Sequence, residues 1–382
     1  MTVDLVIVGA SIRAAAFSAL RGGFQPAGAD LFADQDLSIP VVAVNHYPQQ
    51  LSQALDNWPG TDWLYTGGLE NYPLLVGQMA RKSHLLGNSR PVLEKLGRPL
   101  DLFRLLTDAS LACPRIVLEP PETPSGWLRK PIHSAGGLGI QPATHAVPPR
   151  SPGRVYYQEH VRGIPASALF LATPARTALL GLTRQLVGCD FTAAAPYSYC
   201  GSIGPLTIPP PLHSEVEAMG QLLAGHYSLV GLFGIDLVIQ QQRPWFIELN
   251  PRYPASAEIL ERATGQSLVR LHVDACRGES PELPSISHGE SWGKAILFAR
   301  HDLTIAASFP SQIERTFPQE GNWPSVADLP ATGWKAVAGQ PILTVFAQAD
   351  SLAAVEDQLR HRLSHLEQLL LPTTPPAAVP HR

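Results

Sequence analysis

The sequence has few cysteines, little net charge and no long apolar run. The four cysteines among its 382 residues are widely spaced and form no Cys-x-x-Cys pair, which excludes a zinc knuckle and a dense disulfide framework. A net charge of -4 lacks the basic excess on which broad nucleic-acid binding depends. No stretch approaches the ~20 consecutive apolar residues that span a bilayer. We therefore expect buried thiols, no nucleic-acid partner and no membrane partner.

The amino terminus also has no basic start of the kind that opens a secretory signal. Its first residues, MTVDLVIVGASIRAAAF, carry Asp4 within an apolar run, so we expect a cytoplasmic protein. What the chain does have is 45% hydrophobic residues, 37 prolines and 31 glycines, which is typical of a globular protein with many turns. Its length favours more than one domain.

The first 90 residues are predicted to form a small parallel α/β unit. VDLVIVGAS is an apolar strand, IRAAAFSALRGGF after it is a helix, and residues 39–45 and 62–68 are further strands with a helix between them. Only Gly9 matches the Gly-x-Gly-x-x-Gly fingerprint, so an NAD-dependent oxidoreductase is a minor alternative. Ser11 and Arg13 either contact a substrate anion or simply pack.

The rest of the chain is predicted to alternate helices and strands. Helices are expected within residues 86–113, 214–230, 256–276 and 355–370, and strands at residues 155–161, 294–300 and 341–347. Residues 168–173 and 177–183 read as one hairpin, and residues 231–250 as another. The last eleven residues, 372–382, are expected to be disordered.

A lysine followed by a glycine-rich loop is the first candidate binding feature. In WLRKPIHSAGGLGIQ, Lys130 ends an apolar strand, and Ser134, Gly136, Gly137 and Gly139 form a loop whose backbone N–H groups can close over anionic oxygens. Glycine turns are common, so an ordinary structural loop is an equal alternative. The loop with its own cation favours a phosphate site.

Two carboxylates and an amide are the second candidate feature. Asp236 lies on the strand GIDLVI, Glu248 lies on its hairpin neighbour WFIELN, and Asn250 and Arg252 follow on the same face. Hard oxygen ligands of this kind suit Mg²⁺, and a guanidinium beside them can hold phosphate oxygens. A single acid here would be read as an exposed residue or a salt bridge. Four polar groups aimed at one place favour a bound ligand.

These segments together resemble the ATP-grasp superfamily, from about Lys130 to Ala257. The resemblance rests on the order of the lysine and glycine-rich loop, then QEHVRG, then GIDLVI and FIELNPR. It implies an ATP-grasp fold, an α/β class, with a nucleotide site between two α+β subdomains. The implied domains are an amino-terminal Rossmann-like (pre-ATP-grasp) parallel unit at residues 1–90, an ATP-grasp region at 91–280 and a carboxy-terminal α+β portion at 281–371.

The resemblance also implies roles for individual residues, with ATP and Mg²⁺ as cofactors and Mn²⁺ as an alternative cation. The implied catalytic residues are Lys130, Glu248 and Arg252. The implied metal ligands are Asp236, Glu248 and Asn250. The implied nucleotide-binding residues are Lys130, Ser134, Gly136, Gly137 and Gly139, with an adenine hinge at Gln158, Glu159, His160 and Val161.

The activity that the resemblance implies is an ATP-dependent ligation of a small carboxylate to an amine, releasing ADP and phosphate. Homodimers are common in the family. The amino-terminal pattern is also similar to that of members associated with one-carbon cofactor biosynthesis, in which an amino acid such as glutamate is attached to a small aromatic amine or acid. Arg13, Arg162, Arg184 and Arg270 either hold a substrate carboxylate or are solvated surface charges.

Two positions depart from the family pattern. Leu102 follows Asp101 where many members have a lysine that reaches the nucleotide, and Arg98 or Arg104 would have to replace it. Pro165 stands where many members have an acid for the ribose hydroxyls. These departures keep open a second interpretation, a non-catalytic ATP-binding regulatory protein.

Overall fold

The computed structural model describes residues 2–145, 155–285, 289–319 and 323–370. The disorder predicted for residues 372–382 lies outside this part of the chain. Across the described ranges, no helix combines the length and the apolar character needed to cross a membrane.

The amino-terminal unit is a parallel sheet flanked by helices. Its strands are β1 (Leu5–Gly9), β2 (Pro26–Asp30), β3 (Val41–Ala43) and β4 (Trp63–Tyr65), and its helices are α1 (Arg13–Arg21), α2 (Leu51–Ala54) and α3 (Pro73–Met79). The strands lie in the order β3-β2-β1-β4, so β1 is buried between β2 and β4. Apolar runs such as LVIVG are typical of strands covered on both faces.

Two helices lead to a small antiparallel sheet. The helices are α4 (Arg90–Leu96) and α5 (Pro99–Asp108), each with proline in its first turn, and the strands are β5 (Ile116–Val117), β6 (Trp127–Pro131), β7 (Gln141–Pro142) and β8 (Val155–Glu159). The strands lie in the order β5-β8-β6-β7. A short extended segment after β8 passes directly into the large sheet.

An eight-stranded antiparallel sheet forms the centre of the remaining chain. Its strands are β9 (Ile164–Ala172), β10 (Thr177–Val187), β11 (Tyr199–Gly204), β12 (Gly231–Gln240), β13 (Arg243–Asn250), β14 (Ser291–Phe298), β16 (Val326–Ala327) and β18 (Pro341–Ala349). The helices of this region are α6 (Pro210–Tyr227), α7 (Ala257–Thr264), α8 (Leu268–Cys276), α9 (Phe309–Thr316) and α10 (Leu352–Leu370). Two further short strands are β15 (Leu303–Thr304) and β17 (Lys335–Ala336). The order is β13-β12-β9-β10-β11-β14-β18-β16, and β15 pairs with β17 in a separate ribbon. Strand β13, which carries the acidic motif, therefore lies at one edge.

Both predicted hairpins and the predicted last helix are present. Residues 173–176 connect β9 to β10, and Gln241 and Gln242, both with positive φ, turn β12 into β13. In α10 the side chains of Val355, Leu359, Leu363 and Leu366 are buried in the core of the carboxy-terminal region.

Strands β2 and β11 were not predicted, because their sequences PAGAD and YCGSIG contain few of the β-branched and aromatic residues that mark strands. Close packing requires the small residues instead. A Cβ at Gly28 would lie 2.3 Å from Ile7 O, and one at Gly201 would lie 2.2 Å from Lys294 O. The predicted strand at residues 39–45 is shorter, since only Val41–Ala43 pairs with β2.

A buried ion network joins α1 to the large sheet. The Arg13 guanidinium, 2% exposed, donates to both Glu258 oxygens and, at 2.8 Å, to Asp328 Oδ1. Lys294 Nζ donates to Glu258 Oε2 at 3.1 Å. Burial alone raises the pKa of Glu258, yet the two cations together hold that pKa well below its ordinary value. Arg13 therefore packs between α1 and the elements around the large sheet rather than reaching solvent.

We expect Arg13→Ala to lower the free energy of unfolding by about 3–5 kcal/mol, because it leaves the buried Glu258 carboxylate and the partly exposed Asp328 carboxylate without their shared guanidinium. Arg81→Ala removes an exposed arginine and should change it by less than about 0.5 kcal/mol. Urea unfolding of the two variants measures the difference, and equal small effects would show that the network does not support the fold.

Candidate nucleotide and metal site

A cavity of about 450 Å³ lies between the small sheet and the large sheet. Its lining includes Lys130, Gly136 and Gly137 from the small sheet and its loop, residues 158–163 and Pro165 from the connection, and Gln185, Tyr197, Tyr199, Asp236, Glu248, Asn250 and Arg252 from the large sheet. The structure thus brings most of the predicted site residues around one space, whose volume suits a small organic ligand.

The hairpin register places the two acids opposite each other. Asp236 on β12 pairs with Glu248 on β13, and a register shift follows between Asp236 and Leu237. Asp236 Oδ2 accepts a hydrogen bond from Asn250 Nδ2 at 3.1 Å, and Oδ1 accepts one from Gln185 Nε2 at 2.9 Å. The two-residue turn fixes this register, so a slip of one residue would send Glu248 and Asn250 to the other face.

Repulsion and burial perturb the first of these acids. Burial, followed by the charge of Glu248, raises the pKa of Asp236 to about 6, although hydrogen bonds from Ser167 and Asn250 and the charge of Arg252 oppose the rise. A cation between the two carboxylates would remove the repulsion. Within the described ranges, however, no three His, Cys, Asp or Glu side chains are grouped to hold a metal by themselves. The oxygen donors fit a Mg²⁺ ion that is also coordinated by phosphates.

Lys130 lies at the boundary between the two sheets. Its side chain is 4% exposed, and Nζ donates to Gln158 Oε1 at 3.1 Å and lies 3.8 Å from Glu248 Oε2. Burial acts to lower the pKa of Lys130, but Tyr156 and Glu248 together raise it above the ordinary value. The residue therefore stays cationic and close to the acids.

The glycine-rich loop already packs against the large sheet. Tyr199 N donates to Gly136 O at 3.1 Å, and a Cβ at Gly137 would lie 2.0 Å from Tyr197 O. Gly137 also has a φ of +82°, which side chains rarely adopt. The predicted residues Ser134 and Gly139 are not part of the cavity lining; the Ser134 hydroxyl instead donates to Leu138 O and closes the loop on itself.

The predicted adenine hinge joins β8 to β9. Gln158 is 1% exposed and its Nε2 donates to Ile247 O at 3.3 Å, so its side chain joins the two sheets. The Glu159 carboxylate pairs with Arg115, whose hydrogen bonds lower the pKa of Glu159. His160 N donates to Gly126 O at 2.8 Å. No described backbone group accepts from Val161 N, which leaves that donor available to a nucleobase edge.

Arg252 is held from the amino-terminal unit. Its Nε donates to Glu70 Oε1 at 3.0 Å and its Nη2 donates to Asn250 Oδ1 at 2.8 Å. Burial acts to lower the pKa of Arg252. The charges of the neighbouring acids, with Glu70 the largest contributor, outweigh this effect and raise the pKa above its ordinary value. Arg252 therefore connects the acidic motif to the loop after β4.

Several residues that complete the site were not predicted from the sequence: Glu70, Ser167, Gln185, Tyr197 and Tyr199. Gln185 was detectable as a polar residue within the apolar strand TALLGLTRQLV. Tyr197 and Tyr199 belong to the β11 region, which was not predicted. Glu70 had no local signal, because it reaches Arg252 across 182 positions of sequence.

The two departures from the family pattern are structurally distinct. Leu102 is 6% exposed and packs in the hydrophobic core beside α6, while Arg98 and Arg104 are exposed and neither is in the lining of the cavity. No described arginine of α5 thus replaces a linker lysine. Pro165 does line the cavity, where it offers no acidic group to a ribose.

The candidate substrate arginines have different surroundings. Arg184 pairs with Glu356, and Arg270 pairs with Asp274 at 2.9 Å. Arg162 is exposed in the hinge and lines the cavity. Near the first turn of the sheet, a Cβ at Gly9 would lie 1.9 Å from Thr66 Oγ1, so this glycine serves close packing against Thr66.

Comparison with known proteins places this site in a recognised domain. Residues 100–256 match the family model described as an ATP-grasp domain. An uncharacterized protein of Methanocaldococcus jannaschii is 21% identical over 272 residues, an alignment that covers 70% of this chain and 59% of that relative. The chain therefore spans less than two thirds of the length of this curated relative.

Solved structures share the fold at low sequence identity. The biotin carboxylase domain dimer of 2-oxoglutarate carboxylase from Hydrogenobacter thermophilus, in complex with MgADP, ADP and bicarbonate, is 12% identical with a TM-score of 0.69, covering 94% of this chain and 89% of that chain. L-amino acid ligase from Bacillus licheniformis is 13% identical with a TM-score of 0.65, covering 95% and 97%. The fold is the ATP-grasp fold, as the sequence predicted.

The raised pKa of Asp236 predicts a pH-dependent stability. Because its folded-state pKa is about 6 against an ordinary 3.8, folding favours the protonated acid, and this contribution is lost as pH rises from about 4 through 6. Asp236→Asn stays neutral. We expect it to be more stable than the wild type by about 2–3 kcal/mol at about pH 7.5 and by about 1 kcal/mol at about pH 4.5. Urea unfolding without nucleotide or divalent cations measures this; a difference independent of pH would contradict it.

The contact between the loop and Tyr197 predicts a loss of nucleotide affinity in Gly137→Ala. An added methyl group must push the loop off the large sheet, and we expect ATP binding measured by calorimetry to weaken at least ~10-fold. Gly126→Ala is the matched control, since Gly126 has a φ of +80° but no atom within 4 Å of the added Cβ. Equal losses in both variants would indicate backbone strain alone.

Proposed function

We propose that this chain, whose residues 100–256 match an ATP-grasp domain, is an ATP-dependent ligase that joins a small carboxylate to an amine through an acyl phosphate. The observation that carries the proposal is the convergence of Lys130, the Asp236–Glu248 pair and Arg252 in a single cavity that the hinge also lines. Cations beside paired acids suit the γ-phosphate of ATP.

The arrangement supports a binding mode for the nucleotide. The adenine would lie along residues 158–161, and the phosphates would lie between Lys130 and the backbone N–H groups of the glycine-rich loop. Asp236, Glu248 and Asn250 would hold Mg²⁺, or Mn²⁺ as the alternative. When bound, the metal supplies Lewis-acid neutralisation of charge on the phosphate oxygens. Pro165 leaves the ribose without a carboxylate partner from that position.

The first chemical step is transfer of the γ-phosphoryl group. A substrate carboxylate oxygen attacks the γ-phosphorus, the bond to the bridging oxygen breaks, and ADP leaves with the electron pair. Lys130 and Arg252 stabilise the charge that spreads over the equatorial oxygens. The product is an acyl phosphate, which the closed glycine-rich loop shields from water.

The second step is attack of the amine nitrogen on the acyl carbon. The carbon–oxygen bond to phosphate breaks, phosphate leaves with the electrons, and the amine loses a proton to form the amide. The chain contributes positioning and electrostatic stabilisation, with no covalent enzyme intermediate. The L-amino acid ligase of shared fold supports this class of reaction.

A non-catalytic ATP-binding regulator is the second candidate function. It is favoured by the burial of Leu102 at the linker position and by the exposure of Arg98 and Arg104 away from the cavity. Such a protein would bind ATP and release no ADP with any carboxylate and amine. An association with one-carbon cofactor biosynthesis and a homodimer both remain predictions, the latter supported by the dimeric biotin carboxylase domain of similar fold.

Glu248→Gln is expected to abolish Mg²⁺-dependent turnover while preserving the fold. It keeps the side-chain shape but removes one of two carboxylates at the metal site, so we expect ADP formation to fall at least ~100-fold. The assay measures ADP release from ATP with a mixed pool of carboxylates and amines. Glu119→Gln, at an exposed position two residues after β5, is the control and should retain full activity. Near-normal ADP formation by Glu248→Gln would remove the assignment.

A further inference from the structure

Glu70 has one carboxylate oxygen without a partner. It lies in a short helical turn, Leu69–Asn71, directly after β4, and its side chain is 12% exposed. Oε1 accepts from Arg252, while Oε2 is buried and accepts a hydrogen bond from no described residue. Buried acceptors without a partner are uncommon in folded proteins, so this atom calls for an explanation.

The position of Glu70 connects this oxygen to the proposed reaction site. Glu70 lines a second cavity of about 110 Å³, together with Lys130, Ser134 and Glu248. Lys130 and Glu248 line the larger cavity as well, so the two cavities adjoin at these two side chains. Asn71 Nδ2 donates to Ser134 O at 3.1 Å and closes this side against the glycine-rich loop.

The electrostatics of the pair define what can bind to the unpaired oxygen. Glu70 Oε1 is already occupied by the Arg252 guanidinium, so a divalent cation on Oε2 would face a fixed positive charge at close range. A hydrogen-bond donor with a single positive charge, such as an ammonium group, fits better. The nearby Tyr47 hydroxyl stays neutral, because burial and then the charge of Glu70 raise its pKa well above the ordinary value. It therefore adds no second negative charge that would attract the ammonium group away from Glu70.

The guanidinium next to this oxygen retains donors for an anion. Its Nε and Nη2 are used by Glu70 and Asn250, whereas Nη1 makes only a 3.5 Å contact to Tyr253 O. A free guanidinium edge and a free carboxylate oxygen, joined by an ion pair, present one site for an anion beside one for a cation. An α-amino acid carries a carboxylate and an ammonium group on one carbon, so it offers both charges to this ion pair.

We propose that the carboxylate substrate of this enzyme is an α-amino acid, whose carboxylate contacts Arg252 and whose ammonium group donates to Glu70 Oε2. The inference rests on the proposed function and specifies its substrate class. It assigns to Glu70 the recognition of the amino group and predicts activation of the α-carboxylate. The alternative role for Glu70, a clamp that only positions Arg252, would affect all carboxylates equally.

The test compares amino acids with matched acids that lack the amino group. Hydroxylamine in excess traps an acyl phosphate as a hydroxamate with release of phosphate, so the natural amine need not be known. The assay uses glycine against acetate, alanine against propionate and glutamate against glutarate, with ATP and Mg²⁺. For the accepted amino acid, we expect kcat/KM to exceed that of its counterpart at least ~10-fold, as for a charge-assisted hydrogen bond.

Glu70→Gln is the decisive variant. Its amide oxygen can still accept from Arg252, but an NH₂ group replaces Oε2 and turns the acceptor into a donor. We expect KM for the amino acid to rise at least ~10-fold and the preference over the acid to disappear, with smaller changes in kcat. Glu94→Gln, in an exposed pair with Arg90, is the control and should keep both values.

The outcomes separate this inference from the proposed function. Equal use of amino acid and acid by the wild type, or a preference that survives in Glu70→Gln, overturns the inference and leaves the ligase assignment standing. An equal loss for both substrates in the variant shows a clamp and also overturns it. If no carboxylate yields a hydroxamate or ADP, the proposed function and the inference fail together.

Discussion

The pairing of β12 with β13 is the constraint on which the candidate site depends. It places Asp236 opposite Glu248 at the edge of the large sheet, with Asn250 as the last residue of β13 and Arg252 just beyond it. Like charges so close repel, which contributes to the raised pKa of Asp236. The chain tolerates this because Gln185 and Asn250 donate hydrogen bonds to Asp236, and Lys130 Nζ lies 3.8 Å from Glu248 Oε2. The repulsion that weakens the ligand-free protein is what a bound cation would relieve.

A second constraint comes from the amino-terminal unit, which is part of the site rather than a neighbour of it. Glu70 fixes Arg252, Asn71 holds the glycine-rich loop, and Arg13 forms buried ion pairs with Glu258 and Asp328. These contacts explain how residues far apart in sequence define one reaction space. They also place the free oxygen of Glu70 close to Lys130 and Glu248, where our proposal puts the nucleotide phosphates.

The sequence predicted the parts of the site that follow from local rules. Alternation along a strand placed Glu248, Asn250 and Arg252 on one face, and the glycines after Lys130 predicted a loop that can close over anions. It did not reveal β2 or β11, whose small residues are selected by backbone contacts with neighbouring strands. Glu70 was not predictable either, because its role arises only when the loop after β4 meets β13.

The most direct test of the account follows oxygen from the carboxylate to phosphate. The accepted substrate is labelled with oxygen-18 in its carboxylate, ligation is run in unlabelled water, and the released phosphate is analysed by mass spectrometry. Formation of an acyl phosphate predicts that the phosphate carries labelled oxygen from the substrate. Unlabelled phosphate, with ADP and amide formed at the normal rate, would contradict the mechanism at its central step.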